Sequence, residues 1–188
     1  MEAPSGYAIG AASEDAAVAS DELDALAAIE LAAAALFPDE DLPPAHRADT
    51  FPRDGLEAAR REGRLFVARE AATGGPVGFA VAGELDGDAH LMEVAVAPRH
   101  GGRGVGRALV EAAVAWARGA GRERVVLTTF RHLRWNAPFY AKLGFAEIPR
   151  ARQGPALRAV LAAEAASGLD PAKRVAMGLA LRGGEGSA

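Results

Sequence analysis

A chain of 188 residues, 50% apolar and with a mean hydropathy of +0.03, has material for one domain of ordinary size with a substantial core. It contains no apolar run near the roughly 20 residues of a bilayer span. Its first residues carry Glu2 and no basic cluster before an apolar stretch, so a cytoplasmic protein without a membrane segment is expected. The absence of cysteine excludes disulfides, thiolate metal sites and a cysteine nucleophile, and a net charge of -4 argues against a general nucleic-acid binder.

Residues 7–12 read as a first strand. An alanine-rich helix follows over 21–37, with Ser20 as its N-cap and Leu26, Ile29, Ala33 and Leu36 on one face. The acid- and proline-rich stretch 38–44 reads as a loop, and a second helix is predicted over 54–62. The period then changes from helical to extended. Three apolar runs, 64–70, 77–85 and 90–97, are joined by the turn signals Thr73-Gly74-Gly75-Pro76 and Asp86-Gly87-Asp88, which predicts an antiparallel meander.

Residues 104–119 place Val105, Leu109, Ala112, Ala113 and Trp116 on a buried helical stripe, with Gly119 to Gly121 as the stop. Residues 124–129 are rich in Val and Leu without alternation, as in a strand covered on both faces. A short helix over 137–143 ending at Gly144, an extended stretch at 145–149, a helix over 154–166 and a strand over 175–181 complete the chain. The order β-α-α-β-β-β-α-β-α-β-α-β is that of an α/β domain with a mixed sheet and helices on both faces. A single domain over 1–182 is expected, with 183–188 as a frayed tail.

Charge is unevenly distributed. Before position 50 the only basic residue is Arg47, against Glu2, Glu14, Asp15, Asp21, Glu22, Asp24, Glu30, Asp39, Glu40, Asp41 and Asp49. Between 99 and 134 the sign reverses, with Arg99, Arg103, Arg107, Arg118, Arg122, Arg124, Arg131 and Arg134 against Glu111 and Glu123. An anionic ligand near the middle of the chain and a cationic one near its N-terminal part suit this polarity; solvated faces are the plain alternative.

The anionic ligand has a candidate cradle. From Val96 to Arg107 a proline closes a strand and four glycines precede or open a helix. Glycine permits positive φ and close approach, so successive N–H groups converge on phosphate oxygens, and the helix N-terminus adds partial positive charge. The spacing fits neither the G-x-G-x-x-G of a dinucleotide fold nor the Lys-Ser/Thr ending of a P-loop.

The segment Val94-x-Val96-x-Pro98-x-x-x-Gly102-Arg103-Gly104-Val105-Gly106-x-x-Leu109 resembles the acetyl-CoA-binding segment of the GNAT superfamily of N-acetyltransferases. That family commonly has Gln or Arg where this chain has Gly101. Downstream, Trp135-Asn136-Ala137-Pro138-Phe139-Tyr140-Ala141-Lys142-Leu143-Gly144-Phe145 is similar to the family's second signature. The resemblance implies a mostly antiparallel sheet of about seven strands and acetyl-CoA as co-substrate with no metal. It also implies an amine acceptor, either a small molecule or a peptide, and the homodimerisation common in the family.

As cofactor contacts it implies Val94, Ala95, Val96, Arg99, His100, Gly101, Gly102, Arg103, Gly104, Val105, Gly106, Arg107, Thr129, Asn136, Pro138, Phe139 and Tyr140. Tyr140 is implied as the general acid, since a phenol is protonated at neutral pH and can donate to a thiolate; a ring simply packed in place is the alternative. Asn136 bonds the cofactor, caps the following helix, or does both. The attacking amine must lose a proton, and His90 and Glu93 are the candidate bases. Strand alternation places them on opposite faces unless a bulge intervenes, and the reading favours His90, directly or through water.

His46, His100 and His132 make no metal spacing. Trp116 and Leu109 are read as core, and Glu30 as a solvent-facing glutamate in preference to one facing an amine in the acceptor groove. Two other functions remain open on the sequence: a non-catalytic acyl-CoA-binding module and a generic nucleotide-binding domain.

Overall fold

The computed structural model describes residues 3–13 and 16–181, with side chains described from residue 20 onward in the first helix. The elements are β1 (Tyr7–Ala11), α1 (Ala16–Ala34), α2 (Arg53–Arg61), β2 (Leu65–Glu70), β3 (Pro76–Leu85) and β4 (Asp88–Val96). They continue with α3 (Val105–Gly119), β5 (Arg124–Phe130), α4 (Ala137–Ala141), β6 (Ala146–Glu147), α5 (Pro155–Ala166) and β7 (Arg174–Ala180). Single 3-10 turns lie at Pro44–His46, Pro98–His100 and Arg150–Arg152. The expected element order is the observed one. The stretch 183–188, expected to be a tail, lies outside the described residues.

The first helix departs most from expectation. It begins at Ala16, so Ser20 lies inside it and is not its N-cap; the run Ala16-Ala17-Val18-Ala19 has enough helix propensity to carry the helix forward. Its buried face is Leu23, Leu26 and Ile29, while Leu36 lies beyond the helix end and is 51% exposed. Trp116, read as core, is half-buried, because the close-packed residues of its turn are the smaller Ala113, Val114 and Ala117.

The seven strands form one sheet in the order β1-β2-β3-β4-β5-β7-β6. β1 pairs antiparallel with β2 (Ile9↔Ala68) and β2 with β3 (Val67↔Phe79). β4 runs parallel to β5 at Ala89↔Val125 and His90↔Val126, while β5 and β7 pair antiparallel from Arg124↔Ala180 to Phe130↔Arg174. The β3–β4 turn has positive φ at both Asp86 (52°) and Gly87 (85°), the type I′ geometry that matches strand twist in a two-residue hairpin.

The chain falls into two compact units. The first consists of the described parts of Met1–Gly83 with Leu91–Trp116. In it Leu23, Leu26 and Ile29 of α1 and Leu56 and Ala59 of α2 pack on Leu65, Val67, Phe79, Val81 and Ala95 of one sheet face. On the other face, a Cβ at Gly78 would stand 3.2 Å from Leu109 of α3 and 2.8 Å from the Ala95 carbonyl oxygen, so only glycine fits there. The second unit, Glu84–His90 with the described part of Ala117–Ala188, packs Leu157 and Leu161 of α5 on Val126, Ile148 and Ala176.

Candidate active site

In the first unit, β4 is tied to β3 at its end by the bond from Ala97 N to the Val77 oxygen (2.8 Å) and then enters the Pro98–His100 turn. Gly101 is extended (φ -63°, ψ 152°), whereas Gly102 (φ 71°) and Gly104 (φ 84°) are left-handed on either side of Arg103. α3 begins at Val105, and Ala108 N already donates to the Gly104 oxygen at 3.0 Å. The left-handed positions thus fall at the helix entry, where such alternation gathers main-chain N–H groups into an anion-binding concavity. Gly101 needs no left-handed freedom, so its departure from the family's Gln or Arg is not a demand of its φ.

The side chains of the turn are tied to the N-terminal strand. His100 is 4% exposed, with Nδ1 2.9 Å from Tyr7 Oη. Arg99 Nε donates to His100 Nε2 at 2.9 Å, and Arg103 donates to Tyr7 Oη at 3.4 Å. Arginine can only donate, so Nε2 is the acceptor and the hydrogen-bond pattern assigns the ring proton to Nδ1, which donates to Tyr7. Both ring nitrogens of His100 are therefore spent inside the protein. The two rings also meet edge to face, centroids 5.6 Å apart. Nothing in the sequence pointed to Tyr7, since 93 residues separate it from His100.

In the second unit, Thr129 is buried at the end of β5, and Asn136 stands at the N-cap position of α4, with Pro138 in that helix's first turn. Asn136 makes no side-chain cap. Its Nδ2 donates instead to Thr129 Oγ1 at 2.8 Å, and its Oδ1 is buried without a hydrogen-bond partner among the described residues. A buried amide oxygen left in this state costs free energy unless a ligand donor meets it. Tyr140 is 9% exposed, its ring edge-on to Phe139 (5.1 Å) and Phe145 (5.7 Å).

His90, at the start of β4, is also only 9% exposed. Burial holds its pKa below the ordinary value of 6.5, partly offset by the negative charge of Glu164 on α5. Glu164 is itself clamped: Arg174 of β7 donates Nε to Oε2 at 2.9 Å and a terminal N–H to Oε1 at 2.7 Å, and Thr128 Oγ1 donates to Oε1 at 2.5 Å. Arg174 lies over the Phe130 ring, 4.5 Å from its centroid. Sequence reading missed this cluster, whose members come from three elements. Glu93 is half-buried in the first unit, with Oε1 accepting the Val94 N–H at 3.1 Å.

Residues 26–145 match the family model described as the acetyltransferase (GNAT) family. The chain belongs to this family. The match takes in the glycine turn and the Asn136–Tyr140 stretch, while α5 and β7, with Glu164 and Arg174, fall beyond it.

Solved structures agree on the fold. The ribosomal-protein-S18-alanine N-acetyltransferase from Escherichia coli is 20% identical, with 97% of this chain and 99% of that one covered, at a TM-score of 0.62. PaiA N-acetyltransferase from Thermoplasma acidophilum in complex with coenzyme A is 14% identical, with 93% and 98% covered, at 0.64. N-acetylglutamate synthase from Neisseria gonorrhoeae, complexed with coenzyme A and N-acetyl-glutamate, is 15% identical, with 94% of this chain and 35% of that one covered, at 0.66. The seven-stranded mixed sheet with its helices is thus the GNAT fold, and the chain is an acetyl-CoA-dependent acetyltransferase by family.

Within this GNAT chain the two charged regions fare differently. Among the N-terminal acids, Glu22 pairs with Arg69, Asp24 with Arg53, Asp39 with Arg47 and Asp49 with His46. Glu30 is not solvent-facing as expected: it is half-buried, its Oε2 accepts the Phe51 N–H at 2.8 Å, and burial raises its pKa. In the basic region, Arg107, Arg122, Arg124 and Arg131 pair with Glu111, Glu84, Asp88 and Glu147. Arg99 bonds instead to His100 of the turn and Arg103 to Tyr7 of β1, both neutral, which leaves their positive charge uncompensated by those contacts. No helix among the described residues is long and apolar enough to cross a membrane.

Proposed function

We propose that this GNAT acetyltransferase transfers the acetyl group of acetyl-CoA directly to a primary amine of a small molecule or peptide. The observation that carries the reading is the glycine turn. Its left-handed Gly102 and Gly104 flank Arg103 at a helix entry, with Arg99 just upstream, and the bonds from Arg99 to His100 and from Arg103 to Tyr7 go to neutral partners. Pyrophosphate needs that combination of convergent N–H donors and unspent positive charge. Asn136 Oδ1, without a partner among the described residues, suits a ligand carrying amide N–H donors, as the pantetheine arm does.

When bound, acetyl-CoA supplies a thioester carbonyl open to attack by nitrogen. His90 takes the proton that the acceptor ammonium must lose, at a ring nitrogen and directly or through water. Its burial supports this role, because the ring stays neutral and able to accept at physiological pH. Tyr140 gives its Oη proton to the sulfur as the C–N bond forms and the C–S bond breaks, so no thiolate is released, and the second proton that the nitrogen sheds on becoming an amide restores the phenol. Packing of its ring between Phe139 and Phe145 limits the orientations available to the hydroxyl. Glu93 is the second candidate base.

Calorimetry with acetyl-CoA, CoA, ATP and NAD, followed by thiol-release assays with polyamines, amino acids, aminoglycosides and peptides, tests the proposal. CoA-selective binding with thiol release on at least one amine is the expected result. Equal binding of ATP or NAD would overturn the cofactor assignment. CoA binding without release on any amine would mark a non-catalytic acyl-CoA module.

A further inference from the structure

We infer that Tyr7 and His100 are positioning residues for cofactor binding, a hydrogen-bonded strut that holds Arg99 and Arg103 ready for the phosphates of CoA. The inference rests on the acetyl-CoA reading of the glycine turn. Tyr7 Oη accepts from His100 Nδ1 (2.9 Å) and from Arg103 (3.4 Å), and His100 Nε2 accepts from Arg99 Nε (2.9 Å). One phenol oxygen and one buried imidazole thus restrain the guanidinium groups of both Arg99 and Arg103. Phenylalanine at position 7 could accept neither bond.

The restraint extends to the backbone. Tyr7 N donates to the Pro4 oxygen at 3.0 Å, folding the preceding residues back so that Pro4 lies 3.6 Å from the Cβ position of left-handed Gly104. The N-terminal segment therefore meets the turn at His100, Arg103 and Gly104. The bonds described engage one nitrogen of each guanidinium and leave further N–H donors for an anion. A free arginine surrenders rotamer freedom when it clasps a phosphate; one already held surrenders less, and the saving appears as affinity.

The test compares the wild-type chain with Tyr7→Phe, which keeps the ring edge against His100, with His100→Phe, and with the double variant. CoA affinity is read by calorimetry at low and high salt, and KM for acetyl-CoA and kcat with an amine substrate by thiol release. Each single variant is expected to weaken CoA binding roughly 3- to 10-fold at low salt, the range for loss of one net hydrogen-bond contribution. The loss should appear in KM more than in kcat, shrink as salt screens the guanidinium groups, and not double in the double variant. Unchanged CoA affinity in both folded single variants would overturn the inference, as would additive losses independent of salt. A wild-type chain with no affinity for CoA would overturn the acetyl-CoA reading instead.

Discussion

The carboxylate of Asp86, in the β3–β4 turn, accepts the main-chain N–H of Ala156 in the first turn of α5 at 2.9 Å, and also that of Leu157 at 3.1 Å. A side chain 70 residues away in sequence thus caps α5, whose own N-cap, Gly154, has none to offer. The hairpin that carries His90 is fastened in this way to the helix that carries Glu164. Asp86→Ala is expected to lower stability by about 1–2 kcal/mol in chemical denaturation, the usual worth of a cap with its dipole contribution. Gly154→Ala should also destabilise, because a Cβ there would come within 2.7 Å of the Asp86 carboxyl carbon and displace the cap.

His90 makes stability and rate depend on pH in a defined direction. Its folded-state pKa lies below the unfolded value, so the unfolded chain binds more protons between the two, and stability rises with pH across that window. The contribution is complete above the ordinary value of 6.5 and lost as pH falls through the folded pKa. His90→Asn should flatten that slope in pH-dependent denaturation. The acidic limb of the rate profile should lie below pH 6.5, and Glu164→Gln should move it lower still by removing the charge that favours the imidazolium. A limb unchanged in His90→Ala would rule His90 out as the base.

Tyr140→Phe preserves the edge contacts with Phe139 and Phe145 and removes only the hydroxyl. Thiol release is expected to fall roughly 10²- to 10⁴-fold, the range for loss of a positioned general acid. Retention of full turnover across pH would show that the sulfur takes its proton from elsewhere.

The glycines of the turn should separate by backbone conformation. Gly102→Ala and Gly104→Ala place a side chain at positive φ, at a cost of about 1–2 kcal/mol each, and should weaken CoA binding in calorimetry. Gly101 is extended, so Gly101→Gln meets no such strain, although its Cβ would stand 3.2 Å from the Pro98 oxygen. That substitution restores a residue type common in the family and should leave CoA affinity equal or tighter. Gly78→Ala, whose Cβ would stand 2.8 Å from the Ala95 oxygen, should destabilise by about 1–3 kcal/mol through overpacking.

Much of this protein follows from local pattern. Apolar runs joined by Thr73-Gly74-Gly75-Pro76 and Asp86-Gly87-Asp88 make adjacent strands, because turn chemistry acts over a few residues. The glycine turn and the Asn136–Tyr140 stretch were legible for the same reason, each being contiguous. Where local signals competed, as between the capping tendency of Ser20 and the helix propensity of the alanines before it, the longer run prevailed.

Tertiary structure alone decided which polar atoms are already spent. Tyr7 with His100, Asp86 with α5, and Glu164 with Arg174 and Thr128 are bonds between distant segments, and no periodicity records them. Folding spent both ring nitrogens of His100 on Tyr7 and Arg99, bonded the Glu30 carboxylate to the Phe51 N–H, and left Asn136 Oδ1 without a partner among the described residues. Desolvation and hydrogen-bond competition depend on what the rest of the chain brings to each atom, and that depends on packing rather than on sequence neighbours.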